Sequence, residues 1–158
     1  MLETDLIRGF YAAFNKKDYK TMAACYHEQA EFSDPVFPVL HGRAIAAMWH
    51  MLCASGPDLQ VECEGIETTA QQGEAHWRAR YSFGPRKRKV HNNIQARFEF
   101  RDGRIFRHVD QFDFWRWSRM ALGWPGIILG WTPYLQKRVG EQAQKRLQSF
   151  MRKHPEYQ

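Results

Sequence analysis

Residues 75–83 read Ala-His-Trp-Arg-Ala-Arg-Tyr-Ser-Phe, and residues 90–100 read Val-His-Asn-Asn-Ile-Gln-Ala-Arg-Phe-Glu-Phe. In both stretches apolar side chains alternate with polar ones, the period of a strand with one packed face. The basic stretch from Gly84 to Lys89 is the turn between them. Asp102-Gly103 is a tight-hairpin signal leading into a third strand over residues 104–115. On that strand Phe106, His108, Asp110, Phe112 and Phe114 share one face. Ile105, Arg107, Val109, Gln111 and Asp113 share the other. Residues 59–68 alternate more weakly and read as a further strand.

Upstream the period changes. Leu6, Ile7, Phe10, Tyr11 and Phe14 recur at helical spacing. A second short helix after Asp18 holds Met22, Cys25 and Tyr26. Residues 29–33 read as a short strand ended by Asp34-Pro35. Ile45, Met48, Trp49 and Leu52 mark a third helix, closed by Gly56-Pro57. Helices followed by a run of antiparallel strands make an α+β pattern. A helical tail carries a narrow apolar stripe of Leu135, Val139, Ala143, Leu147 and Phe150.

Composition sets the outer bounds. The chain has 158 residues, 44% hydrophobic and 15% aromatic, which fits one globular domain and excludes a disordered or collagen-like chain. Three cysteines, Cys25, Cys53 and Cys63, form no CxxC pair, so neither a zinc cluster nor a disulfide framework is expected. An odd number of cysteines without a secretory pattern at the start points to a reducing, cytoplasmic setting. Charge is unevenly placed: residues 1–79 carry net −5 and residues 80–158 net +11. A basic half raises nucleic acid as a partner, but no nucleic-acid motif accompanies the Arg86–Lys89 run, and a solvated turn is the simpler reading. Residues 120–136 carry no charge, yet Pro125, Pro133 and three glycines disfavour a continuous membrane helix.

The order of these motifs resembles the SnoaL-like branch of the nuclear transport factor 2-like superfamily over residues 5–117. The resemblance rests on Phe32-Ser33-Asp34-Pro35-Val36, then His41-Gly42-Arg43 opening a helix, then Asp102-Gly103-Arg104-Ile105 and Asp110-Gln111-Phe112-Asp113. It implies a cone-shaped, curved antiparallel sheet wrapped around three N-terminal helices, with a deep apolar pocket and dimers through the sheet. Residues 1–117 would form that domain. Residues 118–158 would add an apolar segment and an amphipathic helix packed on it. The superfamily holds isomerases, epoxide hydrolases, cyclases and pure binding proteins, so fold alone chooses no function.

The resemblance places Asp34 where ketosteroid isomerase keeps its proton-shuttling base. A carboxylate at an apolar pocket mouth gains basicity by desolvation. The other reading is a turn former that bonds nearby amides. The isomerase's oxyanion donors fall on Phe10 and on Ile94 or Ala96, none of which donates a hydrogen bond. The strict steroid-isomerase reading therefore fails. Asp110 resembles the pocket acid of limonene epoxide hydrolase, but Arg80 stands where that enzyme's trio needs an acid. Asp110 with Arg78 or His108 remains as a charge pair, either catalytic or purely structural. Asn92 is a candidate polarising donor.

Seven histidines show no HExxH or facial-triad spacing, so no metal is expected. Phe10, Phe14, Trp49, Trp77, Tyr81 and Phe112 are the aromatics expected to line a pocket for an apolar or aromatic ligand. The sequence therefore leads to a small-molecule pocket protein. It is either a cofactor-independent acid–base enzyme of isomerase, cyclase or hydrolase type or a non-catalytic ligand-binding or protein-interaction module. A homodimer through the sheet and peripheral membrane contact through residues 120–136 are the further partners it raises.

Overall fold

Two alternating stretches of sequence become the longest strands of a six-stranded sheet in the computed structural model, which describes residues 2–158. Helix α1 (Leu2–Asn15) buries Ile7, Phe10, Tyr11 and Phe14 along one stripe. Helix α2 (Tyr19–Ala24) opens on Asp18, whose carboxylate accepts the Thr21 N–H at 3.1 Å. Strands β1 (Tyr26–Ser33) and β2 (Leu40–His41) lead to helix α3 (Arg43–Ser55). Four strands follow: β3 (Gln60–Thr68), β4 (Gln72–Phe83), β5 (Arg88–Arg101) and β6 (Arg104–Gln111). The chain ends in α4 (Phe114–Leu122), α5 (Trp124–Leu129), α6 (Pro133–Arg152) and a single 3-10 turn.

The strands lie in the order β2-β1-β6-β5-β4-β3, as a curved, unclosed sheet whose inner face covers α1 and α3. On β4 and β5, Ala75, Trp77, Ala79, Ile94, Ala96 and Phe98 point inward. They meet Phe10, Phe14, Met48 and Trp49 in one core. All neighbouring pairs are antiparallel except β1 and β6, which run parallel.

The structure corrects the sequence reading at three places on these strands. Tyr26 opens β1 instead of closing the second helix. On β6, Phe100 faces Ile105 while Glu99 faces Arg107, so Phe106 is an extra residue in a bulge. The bulge turns Phe106 outward, under the Arg101 guanidinium at 3.6 Å, and puts Ile105 on the buried side with His108 and Asp110. The strand also stops at Gln111. The Asp113 carboxylate accepts the Arg116 N–H at 3.0 Å and caps α4, so Phe114 and Trp115 belong to a helix.

Helix α4 lays Phe114, Trp117 and Ala121 against Val90 of β5 in a second, smaller cluster. Helix α5 crosses α4 closely enough that a Cβ on Gly126 would collide with the Ser118 carbonyl, and one on Gly130 with the Ser118 hydroxyl. Helix α6 returns over α3 and buries Leu147 in the main core. Among the described residues no helix is long and apolar enough to cross a membrane.

Candidate active site

Strand β6 sends two polar side chains into the apolar interior, and their hydrogen bonds define the site. His108 is fully buried and Asp110 only 3% exposed. The indole N–H of Trp49 donates to the Tyr26 hydroxyl at 3.0 Å, and that hydroxyl lies 2.7 Å from His108 Nδ1. His108 Nε2 lies 2.9 Å from Asp110 Oδ1, which also accepts the Trp77 indole N–H at 3.3 Å. One tautomer satisfies every partner. Tyr26 accepts from Trp49 and donates to Nδ1, so a neutral His108 carries its proton on Nε2 and donates it to Asp110. Burial, with the Asp110 charge adding to it, raises the Tyr26 phenol well above its ordinary value and keeps the donor protonated. Both protein hydrogen bonds to Asp110 use Oδ1.

Asp34 reaches the same space from the link between β1 and β2. Its Oδ1 accepts the backbone N–H groups of Val36 at 2.7 Å and Phe37 at 2.6 Å, an Asx turn set up by Pro35. The turn former also faces a cavity. Burial pushes its carboxyl up to about 7, against the pull of the Phe37 amide, and the nearby Asp110 charge pushes the same way.

The cavity measures about 610 Å³ and is lined by Asp34, Asp110 and a mostly apolar wall. Phe14, Trp49, Trp77, Tyr81, Asn92 and Phe112, all expected from sequence, contribute to that wall. Tyr81 accepts the Trp117 indole N–H at 2.8 Å, and burial pushes its phenol up to about 12. Asn92, 6% exposed, brings an amide to the wall.

Three expected residues do not line the cavity. Arg78 is on the outer face of the sheet, where it bridges Glu64 at 3.2 Å and Glu62 at 3.8 Å. Strand alternation dictates this, since Trp77 and Ala79 on either side point inward. Arg78 is therefore neither a pocket residue nor a partner of Asp110. Phe10 packs edge-on against Tyr26, Trp49 and His108, behind the cavity wall. His108 itself stands behind Asp110 and orients it.

Several residues were not expected. Tyr26 completes the buried network. The Tyr11 hydroxyl is buried without a hydrogen-bond partner among the described residues, and burial together with Asp110 holds its proton on. Exposed Arg138, Gln142 and Arg146, four residues apart on α6, form a polar edge of the cavity. Their spacing was the available signal. Among the described residues no cluster of three or more His, Cys, Asp or Glu side chains could hold a metal ion.

A curved sheet wrapped on helices around an apolar cavity defines a member of the nuclear transport factor 2-like superfamily. Within it, the chain belongs to the SnoaL-like domain family, whose model matches residues 7–108. No curated protein matches the sequence. Among solved structures, the chain is similar to an LEH-like epoxide hydrolase of M. tuberculosis. The two share 20% identity over 80% of this chain and 92% of that one, with a TM-score of 0.65. It is also similar to TerC co-crystallised with polyporic acid, at 14% identity over 76% and 98% of the two chains and a TM-score of 0.66. TsrD from Streptomyces laurentii matches at 18% identity over 73% and 91%, with a TM-score of 0.64. At these identities the likeness is one of fold.

Proposed function

We propose that the protein is a cofactor-independent acid–base enzyme acting on an apolar, aromatic small molecule held in the cavity. The observation that carries this is the convergence of Asp34 and Asp110 on one cavity, with the Asp34 carboxyl raised to about 7. A carboxyl poised near neutrality can both take and return a proton. Asp34 is the general base or acid. Asp110, oriented by His108 and Trp77, presents a second carboxylate to the substrate. Asn92 and the Tyr81 hydroxyl polarise a carbonyl or epoxide oxygen, and the aromatic wall holds the carbon skeleton. Isomerisation, cyclisation and epoxide hydrolysis all fit this set. The fold likeness to an epoxide hydrolase and to a protein crystallised with polyporic acid supports the substrate class.

A carrier role is the second reading. It is favoured by the Asx turn at Asp34, which already occupies Oδ1. Deuterium exchange separates the two. In heavy water, the enzyme should exchange the proton beside the carbonyl of an enolisable aromatic ketone such as β-tetralone. Asp34→Asn should slow the exchange about a hundredfold to ten-thousandfold. A ketone that binds in the cavity without exchange, or full exchange by Asp34→Asn, would overturn the enzyme reading.

A further inference from the structure

Helix α5 packs closely on α4, yet it and the residues just after it turn large apolar side chains to solvent. Trp124 is 71% exposed, Trp131 68%, Ile128 56% and Ile127 54%, with Tyr134 at the start of α6 also exposed. This is a built surface. Gly126 and Gly130 seat α5 on the buried Ser118, whose hydroxyl donates to the Trp115 carbonyl at 2.9 Å. The indole N–H of Trp115 donates to the Ile127 carbonyl at 3.2 Å and that of Trp131 to the Ile128 carbonyl at 2.9 Å. An apolar patch of this kind marks an interaction site.

The charges beside it choose the partner. Arg86, Arg88, Lys89, Arg116 and Arg119 share a shallow concavity with Met120 and Ile127. Their contacts leave most of this positive charge unneutralised. Arg88 donates to the Met120 carbonyl, Arg116 to the His91 carbonyl, and Arg119 stacks over Trp115 at 4.6 Å. Of the five, only Lys89 meets a carboxylate among the described residues, Asp58 at 3.6 Å. Residues 114–140 contain four basic side chains and no Asp or Glu.

We propose that the α5 face, with the Arg86–Arg119 cluster beside it, docks on an anionic lipid bilayer. Trp, Tyr and aliphatic side chains flanked by Arg and Lys are the composition that enters a membrane interface, the rings at headgroup depth and the cations on the phosphates. A second copy of the chain fits less well. A two-fold contact through this face would press one cationic cluster toward the other. Nucleic acid would use the cations but leave Ile127 and Ile128 without a partner. Helices α4 and α6, which flank α5, also wall the cavity through Trp117, Leu122, Leu135 and Val139. Docking therefore sets the cavity wall beside a reservoir of apolar ligands. The proposal stands whether or not the cavity is catalytic.

Vesicle co-sedimentation of the full chain tests it. Vesicles of mixed phosphatidylcholine and phosphatidylglycerol should carry the protein down, and pure phosphatidylcholine vesicles should carry far less. Raised salt should release it. Trp124→Ser with Ile128→Ser, and separately Arg86→Gln with Arg119→Gln, should each weaken binding about tenfold or more. All four side chains are exposed, so circular dichroism and melting should match the parent. Wild-type protein left in the supernatant with anionic vesicles would overturn the proposal. So would undiminished sedimentation of both double variants. Two further results would also overturn it: a wild-type dimer that Trp124→Ser/Ile128→Ser dissociates with no vesicle binding, and an oligonucleotide retained where vesicles are not.

Discussion

Two carboxylates meet one cavity from regions built on opposite principles. Asp110 comes from β6, an interior strand paired on both edges, and its Oδ1 accepts two ring N–H groups held by further buried partners. Asp34 comes from a short link between strands, held only by two amides of its own turn, with burial outweighing them. The difference teaches how one fold can assign two acids different roles. A carboxylate inside a satisfied network is fixed in place, whereas one in a desolvated turn is left with a proton affinity near neutrality.

The contrast can be broken by attacking the network. His108→Leu strips the Tyr26 hydroxyl of its acceptor and Asp110 of one of its two donors. Urea unfolding should show a loss of about 3 kcal/mol. A loss under about 0.5 kcal/mol would mean that Asp110 is held by something other than this network.

The pH dependence sharpens the contrast from the other side. Asp34 has its folded value raised to about 7 from the ordinary 3.8. Between those values the folded protein binds more protons than the unfolded chain. Stability contributed by the protonated form is complete below 3.8 and is lost as pH rises through about 7. Urea midpoints should therefore fall across that window, and Asp34→Asn should flatten the slope. Exchange activity should move oppositely, rising through about 7 as the base form appears. A slope unchanged by Asp34→Asn would remove Asp34 from its role.

The smallest effect belongs to the outer face. Arg78→Ala breaks half-exposed pairs with Glu62 and Glu64. It should cost about 0–1 kcal/mol and leave ligand affinity in the cavity unchanged. A large loss of binding would return Arg78 to the site.

The strand alternation from Ala75 to Phe100 was legible because each inward residue announces itself by period. The helical stripe of α1 was legible for the same reason. Asp34 and Asp110 were singled out by the motifs that resemble the SnoaL-like family, and both line one cavity. Arg78 was misplaced although the same alternation forbids it: a strand that turns Trp77 inward turns Arg78 outward. The Phe106 bulge was not readable, since one extra residue shifts the faces only when the partner strand is known. Tyr26 was hidden because its position ends an apolar helical spacing, and its value to the site comes from a strand 82 residues away. The start of α4 was present in the sequence as Asp113 before Phe114, Trp117, Ser118 and Ala121. The preceding alternation masked it.

The parallel pairing of β1 with β6 has a consequence in time. The β4–β5 hairpin joins neighbours in sequence and can close early, whereas the β1–β6 ladder must bring Phe32 to His108 across the whole intervening chain. The bond between Tyr26 and His108 forms only with that ladder. A chain emerging from synthesis therefore holds an ordered hairpin before it holds a closed cavity wall. Asp34 and Asp110 come to one cavity only after β1 has docked on β6, so an unfinished chain keeps the two acids apart.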